Sequence, residues 1–136
     1  MKDVKINTLT NNINYIISKI SCNNDITLLI RLNLGSRDET KENSGISHLL
    51  EHMLFQGTKK YPSQKELTKE LYKYGGNFNA YTSKDHTVFY INIHKDYIEK
   101  ALEILSDIYF NSLIKDENLT KEKKEILRMV RFENYL

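Results

Sequence analysis

Residues 45–57, GISHLLEHMLFQG, carry two patterns at once. Ile46, Leu49, Leu50, Met53 and Leu54 recur at helical spacing, which predicts an amphipathic helix with an apolar stripe to bury. Ser44 stands where a cap is expected, and Gly57 ends the helix. Within the same stretch His48, Glu51 and His52 fall at i, i+3 and i+4, so they share a face, with Cβ atoms about 6 Å apart.

The surrounding elements supply what that stripe packs on. Residues 4–9 and 13–20 are rich in β-branched side chains and flank Thr10-Asn11-Asn12, which predicts a hairpin. A third strand is expected at 25–34, closed by Gly35-Ser36, with a polar loop at 37–44. Ser63 with Glu66 three residues on is a capping-box pattern for a helix at 63–74, stopped by Gly75-Gly76. Strands at 77–82 and 86–94 turn around Ser83-Lys84-Asp85. Ile98, Ala101, Leu102, Leu105, Ile108 and Tyr109 mark a helix at 96–110, and a last helix runs from about 116 to 134. Strands, two helices, strands and two helices in that order imply an α+β fold, an antiparallel-rich sheet with helices packed on one face. The last helix shows no stop signal, so the expectation is one domain, 1–136, that is part of a larger unit or completed by another chain.

Composition removes several function classes. Charged residues make up 28% and nearly cancel at +2, which argues against a dedicated nucleic-acid binder. The basic positions of the last helix, Lys121, Lys123, Lys124, Arg128 and Arg131, alternate with Glu122, Glu125 and Glu133 as on a solvated face. The single cysteine, Cys22, excludes an internal disulfide and sits in a turn with no motif around it. No apolar run approaches the roughly 18 residues of a membrane span, and the first ten residues lack an apolar signal core. A soluble, cytoplasmic chain with no membrane partner is the expectation.

The chemistry rests on HLLEH. Imidazoles at i and i+4 can converge on one ion, and zinc accepts His nitrogens at about 2.0–2.1 Å in a tetrahedron. Glu51, beside the metal, is placed to take a proton from a zinc-bound water whose pKa falls to about 7. The HxxEH order is the inverzincin motif of metalloproteases. The plainer reading is two ordinary helix histidines. His86 and His94, on a predicted strand, read as packed or solvated.

Three ordered blocks, GISHLLEHMLFQGTKKYPS, GGNFNAYTSKDHTVFY and KDYIEKALEILSDIYFNSL, closely resemble the M16 peptidases, the pitrilysin, insulin-degrading enzyme and mitochondrial processing peptidase group. The resemblance spans nearly the whole chain. It implies the N-terminal metal-site domain of a zinc metalloendopeptidase that cleaves peptides or small proteins with a second M16-like domain or chain. It further implies zinc ligands at His48 and His52, a general base at Glu51, and substrate-backbone pairing at Asn79, Ala80 and Tyr81. An exposed strand edge is physically suited to that pairing.

One position departs. The family's third ligand is a glutamate on a later helix, and here that position is Met129, in the stretch EKKEILRMV. A thioether is not among the usual zinc ligands. Met129 is expected to pack in the core beside Leu127 and Val130. Glu122, Glu125 and Glu133 are the candidate substitutes, Glu122 also matching a glutamate that orients a ligand histidine. The alternative is therefore a catalytically impaired M16-like subunit that binds peptide or supports an active partner.

Overall fold

The computed structural model describes residues 3–21 and 23–133, with side chains described for 4–21 and 23–129. Cys22 lies outside the described residues, and the side chains of Val130, Arg131 and Glu133 lie outside the described side chains. Strands β1 (Asp3–Thr8), β2 (Asn14–Lys19) and β3 (Asp25–Leu32) lead into helices α1 (Ile46–Leu54) and α2 (Gln64–Tyr72). Strands β4 (Asn77–Thr82) and β5 (Thr87–His94) and helices α3 (Ile98–Phe110) and α4 (Asp116–Glu133) follow. The element order is the expected one, with small shifts at the ends. The strand expected at 86–94 starts at Thr87, because His86 belongs to the turn and its N–H and carbonyl both bond the Ser83 hydroxyl. A 3-10 turn, Lys95–Tyr97, precedes α3.

The strands divide into two antiparallel sheets, β1-β2 and β3-β5-β4. Side chains alternate along a strand, so the register decides which face is apolar. Leu28, Ile91 and Phe78 form one cross-strand row, and Ile30, Phe89 and Ala80 the next. These rows meet Leu67 and Leu71 of α2 and Ala101, Ile104, Leu105 and Ile108 of α3 in a single core. The opposite face carries a polar ladder. Thr27 Oγ1 donates to Asn92 Oδ1 at 2.6 Å, and Asn92 Nδ2 donates to Asn77 Oδ1 at 3.1 Å. The fold is thus α+β with its helices on one face of the three-stranded sheet. Beside the core, Lys60 and Lys100 hydrogen-bond Glu103 of α3 and hold its carboxyl down at about 2.

The β1-β2 hairpin is different in kind. Its apolar side chains face solvent, Ile6 at 70% and Ile16 at 67% exposure. Two strands alone supply little core.

Helix α1 lies across β4 and β5 with Met53 and Leu54 buried. Its cap is not Ser44. Gly45 occupies the capping position with φ 88°, a conformation that costs glycine little. The helix's first N–H groups are satisfied from a distance: Gly45 N–H and Ser47 N–H donate to the two Glu39 oxygens at 2.7 and 2.9 Å. At the other end Gly57, with φ 141°, passes so close to Pro62 that a Cβ would lie 2.7 Å from its carbonyl. Helix α4 packs on α1 through Glu122 and Ile126, both buried. The expected burial of Met129 and Leu127 is corrected. They are 37% and 60% exposed, because the α1-facing stripe of α4 is taken by Glu122 and Ile126.

Candidate metal centre

The helical repeat places His48, Glu51, His52 and Phe55 on one stripe of α1. The two histidines come together there. His48 Nε2 and His52 Nε2 are 3.1 Å apart, with the rings edge to face at 74°. Two nitrogens on a tetrahedral ion at zinc–imidazole distances stand about 3.3 Å apart, so the pair fits zinc at two of its four positions.

The second nitrogen of His52 is also held. Nδ1 lies 2.9 Å from Glu122 Oε2, and the other Glu122 oxygen accepts from Gln56 Nε2 at 3.1 Å. A buried carboxylate is costly unless its oxygens are satisfied, and both are. A carboxylate accepts, so with the imidazole proton on Nδ1 the Nε2 lone pair would be free for a metal ion, the way a carboxylate orients a metal-binding histidine. Glu122 thus fixes the ring of His52 and is itself held by Gln56. Glu125, one turn later, lines the same 300 Å³ cleft as Glu51, His52, Phe55, Phe78 and Asn79, and its carboxylate is 3.7 Å from Arg128. Among the described residues no group of three His, Cys, Asp or Glu side chains is arranged to hold a metal ion. The donor set fits zinc as a histidine pair and offers no third ligand within the described side chains.

Glu51 stands next to the pair. Its Oε2 accepts from Thr82 Oγ1 at 2.6 Å, which ties α1 to the end of β4. Asn79, Ala80 and Tyr81 lie on β4, an outer strand of the β3-β5-β4 sheet. Among the described residues no strand pairs with its outer edge. Ala80 N–H meets the Asn79 side-chain oxygen at 2.8 Å. His86 and His94 are not drawn in: His86 Nδ1 contacts Ser83 Oγ at 2.9 Å, and His94 Nδ1 accepts from Asp96 N–H at 3.4 Å.

Glu39 supports the helix from behind. Burial works to raise its pKa, but hydrogen bonds from Gly45 N–H, Ser47 N–H and the Ser47 hydroxyl, with His48 nearby, outweigh it and hold the carboxyl below its ordinary range.

Glu39, Gln56 and Thr82 were not legible as site residues. Gln56 lies four residues after His52 on the same stripe, so spacing alone was a usable signal. Nothing local links Thr82 or Glu39 to α1.

This geometry coincides with a match over most of the chain. The family model for insulinase, peptidase family M16, covers residues 15–133. The chain belongs to the M16 peptidase family. It is 35% identical over 125 residues to the mitochondrial-processing peptidase subunit beta of Dictyostelium discoideum, covering 92% of this chain and 26% of that protein. It is 34% identical over 129 residues to an uncharacterized zinc protease of Rickettsia felis, covering 95% of this chain and 31% of that one. The fold matches the crystal structure of a protease from Helicobacter pylori with a TM-score of 0.89 at 26% identity, over 97% of this chain and 32% of that one. The chain thus spans about a quarter to a third of the length of these proteins.

Proposed function

We propose that this chain is the metal-site domain of a zinc-dependent peptidase. His48 and His52 hold the ion, Glu51 is the general base, and Asn79, Ala80 and Tyr81 bind the substrate backbone. The observation that carries the reading is the 3.1 Å approach of the two Nε2 atoms with His52 oriented by Glu122. Zinc, when bound, supplies Lewis acidity and makes water acidic enough to lose a proton near neutral pH. Glu51 receives that proton on its carboxylate and passes it to the leaving amine. The outer edge of β4 offers N–H and C=O groups to an extended peptide, so recognition there tolerates many sequences. The relative named as a subunit supports a second M16-like domain or chain as partner. Substitution Glu51→Gln is expected to abolish hydrolysis of a peptide by the assembled peptidase and to leave zinc content unchanged. Hydrolysis that survives the change removes Glu51 from the mechanism.

A second reading is favoured by Met129, which stands in α4 where the family resemblance places the third ligand. In that case the domain binds peptide, or supports an active sister chain, without chemistry of its own. Metal content per chain, with His52→Ala as control, separates the two. About one zinc, lost in the control, supports the peptidase. No zinc in either supports the binding subunit.

A further inference from the structure

Strand β4 and helix α1 meet at one hydrogen bond beside the histidine pair, and the general-base reading above does not use it. We propose that Thr82 is the positioning residue for the Glu51 carboxylate, so that one strand both receives the peptide and sets the base that serves it. The inference rests on the assignment of Glu51 as base.

The geometry is specific to the hydroxyl. Thr82 follows Phe78 and Ala80 at the strand period, on the side of β4 that faces the helices. Its Oγ1 donates to Glu51 Oε2 at 2.6 Å, a short contact of the kind made by a hydroxyl to a carboxylate. The competing partner is Thr87 Oγ1 at 3.5 Å, beyond the usual range for two hydroxyls. Thr87 itself is buried and gives its proton to the Leu34 carbonyl at 2.9 Å, so it is fixed behind Thr82 and does not take its place. A β-branched side chain has few χ1 choices in a strand, which makes Thr82 a stiff donor.

Glu51 needs such a donor. Its side chain rotates about three torsions, and among the described residues Thr82 is its one hydrogen-bond partner. The bond engages Oε2, and among the described residues Oε1 has no donor, which leaves it the oxygen able to accept a proton. Thr82 also directly follows Tyr81, the last of the residues assigned to substrate pairing. A peptide laid along β4 and the base beside it therefore keep a fixed spacing through one backbone.

The test compares Thr82→Val, which removes the hydroxyl and keeps the shape, with Thr82→Ser, which keeps the hydroxyl. In the intact peptidase, with a quenched fluorogenic peptide, Thr82→Val is expected to lower kcat roughly 10–100-fold with little change in KM, as a misplaced catalytic group does. Thr82→Ser is expected to restore most of the rate, and zinc content and Tm should match the parent in both. A Thr82→Val enzyme with parental kcat, in a protein that Glu51→Gln inactivates, overturns the positioning role alone. A Glu51→Gln enzyme that stays active overturns the base assignment itself. If the chain is the inactive subunit, crystal structures of the parent and Thr82→Val decide. Displacement of the Glu51 carboxylate in the variant supports the role, and an unmoved carboxylate overturns it.

Discussion

The two helices that meet at the candidate centre are held to different standards. On α1, support comes from three directions. Glu39 satisfies the first N–H groups, Thr82 holds Glu51, and Glu122 holds His52. On α4, Glu122 and Ile126, one turn on, are buried, while Glu125 is partly exposed and Met129 lies at the surface. The difference follows from what lies beneath each helix. Helix α1 rests on the sheet, whereas α4 packs chiefly on α1. The histidine-bearing stripe is thus held mainly by the sheet side of the fold, and α4 adds the Glu122 contact to His52.

The comparison breaks most sharply at Met129. Replacing it with glutamate restores a carboxylate at the position where the resemblance calls for one. The substitution is expected to raise zinc affinity by about 100-fold or more, since a charged oxygen donor replaces a poor one. Competition with a chelator of known affinity measures this. Unchanged affinity would mean that α4 does not bring this position to the metal, or that another group already fills it.

Next in size is the orienting contact. Glu122→Gln leaves a side chain of the same shape but weakens the acceptor that holds His52 Nδ1–H. Outer partners of metal histidines are worth about 10–100-fold in affinity, so a loss in that range is expected by the same titration. If zinc affinity is unmoved, α4 contributes nothing to the centre and the contrast between the helices is complete.

The smallest effect tests the support behind α1. Glu39→Gln is expected to destabilise the fold by about 1 kcal/mol, the usual scale for removing an N-terminal cap, read from denaturant midpoints at neutral pH. Its pH dependence has a definite sign. The folded-state pKa of Glu39 is lowered, so its contribution is present above the ordinary value of 4.5 and is lost as pH falls through the lower folded value. Parent and variant should therefore converge in stability in acid and separate above pH 4.5. A gap that stays constant across that range would show that the Glu39 carboxylate is not what caps α1.

The contrast also explains which features are legible in the sequence. The stripe of His48, Glu51 and His52 follows from the helical repeat, and Ser63 does cap α2, accepting from Glu66 N–H at 3.3 Å. Both depend on neighbours within one turn. Ser44 does not cap α1, because the group that satisfies its first N–H groups, Glu39, arrives through a loop rather than at the capping position. Met129 lies at the surface: helical spacing says which residues share a face, not which face the fold buries.

The amino-acid sequence by itself determined the order of strands and helices and brought two imidazoles and a carboxylate onto one helical face, since these follow from short-range periodicity. The tertiary structure alone decided which atoms hold them. Thr82 meets Glu51 across 31 residues and Glu122 meets His52 across 70, and contacts of that range exist only once the sheet and helices have packed.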